Sequence, residues 1–291
     1  MTEPYLERLA RRTAAVGSVL CVGLDPDPAA LPEGFRTDIA GIERFGRLVI
    51  EAAGPHAAAF KPNLAFFEAY GSGGLAALER LRAEIPGDIP VVIDAKRGDI
   101  GPTAARQAVA LFDALGADAV TVNPYLGEDA VRPLLERIDR FAYVLCRTTN
   151  PGASELQGLA VAANAQGGAP EEPLWARVAR RVTTWGPGGT AGLVVGATAP
   201  GDFAAVRSIA PGLAFLVPGM GAQGGDIDAL LAHGRALAPP AGDRPGGGLL
   251  ANVSRGIAGG GAGSSGHAPT ELVERVAAAA ADWARRLPVL T

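Results

Sequence analysis

Short aliphatic and β-branched runs alternate with amphipathic stretches along the whole chain. Strand-like runs occupy residues 18–24, 57–61, 90–95, 119–122, 142–146, 192–196, 214–217 and 249–253. Between them, IERFGRLVIEAAG, LAALERLRAEI, TAARQAVALFDALG, AVRPLLERID, LWARVARRVTTWG, GDFAAVRSIA and DIDALLAHGRAL carry apolar residues at helical spacing, and PTELVERVAAAAADWARRL closes the chain. Continuous apolar strands belong to a sheet buried on both faces, and regular alternation with helices pairs them in parallel through right-handed crossovers. Eight such units predict an α/β fold: a single (β/α)8 TIM barrel, one domain over residues 1–291, with 4–15 as an extra N-terminal helix covering the far end. A doubly wound dinucleotide fold fits less well, because no Gly-x-Gly-x-x-Gly turn follows the first strand. Three stretches of low complexity, NAQGGAPEEP, PPAGDRPGGG and GIAGGGAGSSGHAP, read as flexible loops.

In such a barrel, functional side chains gather where strands run into the following loops. Asp25, Lys61, Asn63, Asp94, Lys96, Asn123, residues 147–150, Thr198, Gln223, Ser254 and Arg255 all fall at or just beyond those points. The densest stretch is VVIDAKRGDI, residues 91–100. Asp94 and Lys96 are two apart on a strand, so they share a face, and at a barrel mouth that face is the interior. Lys61 ends the neighbouring strand, which sets it beside Asp94, while Asp99 follows Gly98 at the entrance to the next helix. One reading is an ion pair ending a strand plus an acid favoured by a helix dipole. The other is an alternating charged array that holds Lys96 as an ammonium ready to protonate a carbanion, and the cost of burying several charges favours it. A second constellation is VPGMGAQGG and NVSRGI, the loops after the seventh and eighth strands, which suit a phosphate held by backbone N–H groups, Gln223 and Arg255.

Composition sharpens the first constellation. Of 26 basic residues only Lys61 and Lys96 are lysine, and an ammonium, unlike a guanidinium, can be tuned to release a proton. A net charge of -4 and an isoelectric point near 5.5 argue against nucleic acid or an anionic membrane surface as partner. The first 25 residues contain neither a signal peptide nor a membrane span, so a cytoplasmic location is expected. Cys21 and Cys146 lie in apolar runs far from any His, which suits core positions rather than a disulfide or a zinc site. His56, His233 and His267 fall outside the strand ends and read as structural or exposed.

Taken in order, VGLDPDP, FKPN, DAKRGDI followed by GPT, RTTNPGA, VGAT, VPGMGAQGG and SRGI resemble the orotidine 5′-phosphate decarboxylase family over nearly the whole chain, and most closely its longer bacterial (type 2) subfamily. The resemblance implies that Lys96 protonates C6 of the pyrimidine of orotidine 5′-monophosphate, that Asp94 lies beside the departing carboxylate, and that Lys61 is the second lysine of the array. It implies that Asp99 and Thr103 reach into the partner subunit's site, making an obligate homodimer with shared active sites. Asp25 would bind ribose hydroxyls, Thr149 the pyrimidine, and Pro218, Gln223 and Arg255 the closing phosphate loop. Neither a metal nor an organic cofactor is implied. Residues 154–175 form a long, glycine-rich departure from the family pattern, and the resemblance assigns none of them a place against the pyrimidine pocket. Three alternatives stand beside this: a sister barrel enzyme using Mg²⁺ on a sugar-phosphate enediolate, a Schiff-base lysine, and a nucleotide-binding barrel without turnover. The first lacks a further acidic ligand at a neighbouring strand end. The second needs a lowered lysine pKa where flanking carboxylates raise it. The third has no need of the lysine array.

Overall fold

The structure, a computed structural model, describes residues 3–162, 171–197, 200–221, 224–258 and 269–290. Its main sheet has eight parallel strands: β1 Leu20–Leu24, β2 Ala59–Pro62, β3 Val92–Arg97, β4 Ala119–Val122, β5 Phe141–Arg147, β6 Ala191–Val195, β7 Ala214–Val217 and β8 Leu250–Val253. They run in the order β2-β1-β8-β7-β6-β5-β4-β3. Parallel bridges from Phe60 to Val91 and from Asn63 to Asp94 join the two ends of that order, so the sheet closes on itself. The eight strands expected from the apolar runs are all present, with ends shifted by no more than a residue or two.

The helices are α1 Tyr5–Val16, α2 Ile39–Ala53, α3 Leu64–Glu68, α4 Gly71–Glu84, α5 Gly101–Ala108, α6 Arg132–Leu135, α7 Ala153–Gln157, α8 Leu174–Val182, α9 Pro200–Ile209, α10 Ile227–His233 and α11 Pro269–Arg286. A π-helical turn, Val109–Ala114, extends α5. The short α3 and α7 were not foreseen, since five residues are too few to show a helical period. Among the described residues no helix is long and apolar enough to cross a membrane.

Two apolar layers result. The outer one packs helices on the sheet, through residues such as Val22, Phe60, Val120, Val144 and Val253. The inner one fills the barrel and is uneven: Phe141 and Tyr143 project from β5, while Cys21, Ala59, Ala119 and Ala214 face them from other strands. Large against small is how a closed sheet fills its lumen without voids. Gly192 follows the same logic, because a Cβ there would lie 2.8 Å from the Phe141 ring.

From below, α1 caps this core as expected. Tyr5, Leu6 and Leu9 are buried in the inner layer; the Tyr5 ring stacks on Phe141 at 4.9 Å, and the Tyr5 and Tyr143 hydroxyls meet at 3.1 Å. Asp118 latches the cap, accepting from Arg8 at 2.6 Å, Arg140 at 3.3 Å, Arg82 at 3.4 Å and the Val91 N–H at 2.8 Å. PPAGDRPGGG is not the flexible loop its composition suggests. Gly246, Gly247 and Gly248 are buried with φ of 72°, 54° and 68°, and a Cβ on Gly246 would sit 2.8 Å from Thr13 of α1, so glycine here permits close packing. Of the other two such stretches, residues 164–170 and 259–268 lie outside the described residues.

The Tyr5–Tyr143 pair gives a direct test of the cap. Tyr143→Phe leaves the buried Tyr5 hydroxyl without its partner and is expected to cost about 1–3 kcal/mol in urea unfolding. Tyr5→Phe combined with Tyr143→Phe removes both polar groups and is expected to recover most of that loss.

Candidate active site

Three adjacent strands build one cluster at the C-terminal mouth of the barrel. Lys61 from β2 donates to Asp94 Oδ2 at 2.8 Å, and Lys96 donates to Asp94 Oδ1 at 2.6 Å. Thr121 of β4 donates its hydroxyl to the same Oδ1 at 2.8 Å. Lys61 is buried, with its side chain 5% exposed, whereas the Lys96 side chain is 50% exposed. The buried lysine is thus a fixed element, and the open one faces whatever enters.

Local backbone explains how Lys96 comes to lie over Asp94. Between the pairs Ile93–Val120 and Arg97–Val122 the β3 strand spends more residues than β4, so a bulge interrupts the ladder. Lys96 sits in this bulge at φ 48°, the one non-glycine residue with a left-handed backbone among those described. That conformation costs a non-glycine residue about 1–2 kcal/mol, and it recurs at functional sites.

Electrostatics fixes the charge states. Burial pushes the Asp94 carboxyl up, but the Lys61 and Lys96 ammoniums more than reverse this and hold it well below the usual carboxylate range. Burial pulls Lys61 down, yet Asp94 and then Asp25 outweigh it and keep its pKa above the ordinary lysine value. Asp25, just after β1, has a buried Oδ1 with no hydrogen-bond partner among the described residues. A buried acceptor without a donor is costly, which suits a ligand that brings its own hydroxyl.

Arg255 and Asp25 share the walls of a cavity of about 350 Å³, together with Asp27, Ser254, Phe45 and Phe66. Pro218 follows β7 and leads into Gly219, whose φ of 88° and carbonyl, accepting from Gly225 at 3.0 Å, shape the loop. Thr149 lies against Gly196, where a Cβ would collide with the Thr149 methyl. Asp99 accepts from the Ile100 N–H at 2.8 Å and makes no hydrogen bond to Lys61, Asp94 or Lys96. Thr103 is exposed in the first turn of α5. Gln223, Thr198 and His267 lie outside the described residues.

The chain matches the sequence model of the orotidine 5′-phosphate decarboxylase / HUMPS family over residues 18–264. It belongs to that family. An orotidine 5′-phosphate decarboxylase of Thermomicrobium roseum is 47% identical over 256 residues, spanning 87% of this chain and 86% of the relative. That of Herpetosiphon aurantiacus is 46% identical over 229 residues, 78% of this chain and 83% of the other. Among solved structures, an OMP decarboxylase of Leishmania donovani superposes with a TM-score of 0.79 at 37% identity, covering 97% of both chains.

Two buried polar residues of the lumen lie outside the polar positions that the strand ends mark. Thr121 belongs by pattern to an apolar strand, although it is the one polar residue of AVTV. Asn252 is the other: Leu250 lies in the inner layer and Ala251 and Val253 in the outer one, so alternation turns Asn252 inward, buried, with no partner for its Oδ1 among the described residues. A polar side chain inside a short apolar strand is the signal that marks both. Arg147 pairs with Asp202 of α9 at 2.8 Å. Cys21 and Cys146 are buried with thiols pushed to about 12, which keeps them protonated and inert.

The Lys61–Asp94 pair predicts a pH-independent contribution to stability. Asp94, depressed in the folded state, contributes fully above the unfolded carboxyl pKa of about 3.9 and loses this as pH falls through the folded value. Lys61, raised when folded, contributes fully below about 10.4 and loses it as pH rises through the folded value. Lys61→Ala is therefore expected to cost about 3–5 kcal/mol in urea unfolding, constant between roughly pH 5 and pH 9. A cost under about 1 kcal/mol would mean that the pair is screened as a surface pair is.

Proposed function

We propose that the protein decarboxylates orotidine 5′-monophosphate to uridine 5′-monophosphate and CO2, the last step of de novo pyrimidine nucleotide synthesis. The observation that carries this reading is the array in which Asp94 binds both lysines of the chain at a barrel mouth. Breaking the C6–carboxylate bond leaves an electron pair in the plane of the ring, where the π system cannot delocalise it. The Lys96 ammonium stabilises that pair by its charge and then transfers a proton from Nζ to C6, and the neutral amine regains a proton from solvent. Lys61 and Asp94 orient Lys96. Asp94, ionised and held from below, lies beside the departing carboxylate.

Around this centre Asp25 takes the ribose hydroxyls, which its unpartnered Oδ1 supports. Thr149 contacts the pyrimidine. Pro218, Gln223 and Arg255 form the closing phosphate loop, and remote binding energy from the phosphate orders the site for the transition state. Asp99 and Thr103 of each subunit complete the site of the other in a homodimer. The apolar groove of about 410 Å³ beside Thr103, lined by Leu75, Leu111 and Leu115, supports that contact, as do the exposed Ile100, Tyr125 and Leu126 nearby in the chain. The enzyme works as a single barrel domain of the longer bacterial subfamily, in the cytoplasm, without metal or organic cofactor. Both oxygens of Asp94 already face ammonium groups, which disfavours a divalent cation at that carboxylate.

The test is the ultraviolet absorbance of orotidine 5′-monophosphate incubated with the protein in EDTA. Rapid loss is expected for the wild type, and a rate reduced by at least about 10²–10⁴-fold for Lys96→Ala, the range of a lost general acid. No loss with a folded, dimeric wild type would overturn the assignment.

A further inference from the structure

We infer that Thr121 is a positioning residue for Lys96, fixing the backbone and the ammonium of that lysine through a single hydroxyl. The inference rests on the decarboxylase reading of the array and adds to it a residue of β4 that the reading does not use.

The Thr121 side chain lies in the lumen, 1% exposed, with its oxygen between two groups of fixed polarity. The Lys96 backbone N–H reaches it at 2.9 Å and can only donate, so the oxygen accepts there. The ionised Asp94 Oδ1 lies at 2.8 Å and can only accept, so the hydroxyl proton points to it. Asp94 Oδ1 in turn accepts from the Lys96 ammonium at 2.6 Å. These bonds form a closed circuit: Lys96 amide to Thr121, Thr121 to Asp94, and Asp94 back to the other end of Lys96. Both ends of one residue are tied through the same hydroxyl.

The circuit stands where the ladder fails. Regular β3–β4 pairing stops after Ile93–Val120 and resumes at Arg97–Val122, and Lys96 in between has a left-handed φ. Its N–H has left the strand ladder, so the Thr121 side chain takes the place of a strand carbonyl. Without that acceptor, a half-buried N–H and a strained φ have less to hold them, and the bulge that aims Nζ loses its anchor. A displacement of about 1 Å at a reacting group is enough to cost about 10²-fold in rate.

Thr121→Val keeps the shape and removes the hydroxyl, while Thr121→Ser keeps the hydroxyl and removes the methyl. Steady-state decarboxylation by both is measured beside urea unfolding. The expected result is a folded Thr121→Val whose kcat falls about 10²-fold with KM within about threefold of wild type, and a Thr121→Ser that stays within about fivefold in kcat. A residue that only supports the fold would lower the unfolding midpoint of Thr121→Val and leave kcat of the folded enzyme unchanged, and that outcome overturns the inference. Equal loss in the Ser and Val variants overturns it as well, since the methyl would then be what matters. Should Thr121→Val not fold, Thr121→Cys replaces it, with a kcat expected well below that of Thr121→Ser and a wild-type kcat as the contrary result. A silent wild type would instead remove the decarboxylase reading itself, which separates the two failures.

Discussion

At the mouth of the barrel one ionised carboxylate, Asp94, accepts from two ammoniums and a hydroxyl delivered by three neighbouring strands. A charge so placed is stable only when its lone pairs are filled, because desolvation of an unpaired carboxylate exceeds what a fold can absorb. The constraint therefore runs backwards into the architecture. Lys61 must end β2, Asp94 must face inward from β3, and β2 and β3 must be neighbours, which is the seam closed by the bridge between Asn63 and Asp94. Barrel closure and the charged cluster depend on one another.

Below this polar layer the lumen is filled by two aromatic rings of β5 against smaller side chains of the other strands, with α1 pressed on from the far end. The rigid plug matters for chemistry, since a carboxylate aimed to within a fraction of an ångström needs strands that do not breathe. Asp118, gathering Arg8, Arg82 and Arg140 at the opposite end, ties the cap to the β3 and β4 strands that carry the site above.

Much of this was readable in the sequence, for a specific reason. Strands buried on both faces appear as unbroken apolar runs, so their number and order survive without any knowledge of tertiary contacts, and the polar residues at their ends mark the mouth. What the sequence hid was anything set by a local break in regularity. The bulge that turns Lys96 into the left-handed region leaves no compositional trace, and Thr121 looks like ordinary β-branched filler until its oxygen is found between an amide and a carboxylate. In the other direction, PPAGDRPGGG has the composition of a loose linker, yet its glycines serve close packing under α1. Composition cannot distinguish glycine used for freedom from glycine used for proximity.

The near absence of lysine also has a practical consequence. With Lys61 sealed inside the barrel and every other basic side chain but Lys96 a guanidinium, the protein has one accessible side-chain amine, and it stands in the site. Acylating reagents that decorate most proteins indiscriminately are here addressed, among side chains, to a single position, and the only competing amine is the terminal α-amine, which its lower pKa lets a buffer choice block first. A fluorophore or cross-linker carried by such a reagent would report on the mouth of the barrel without any engineered handle.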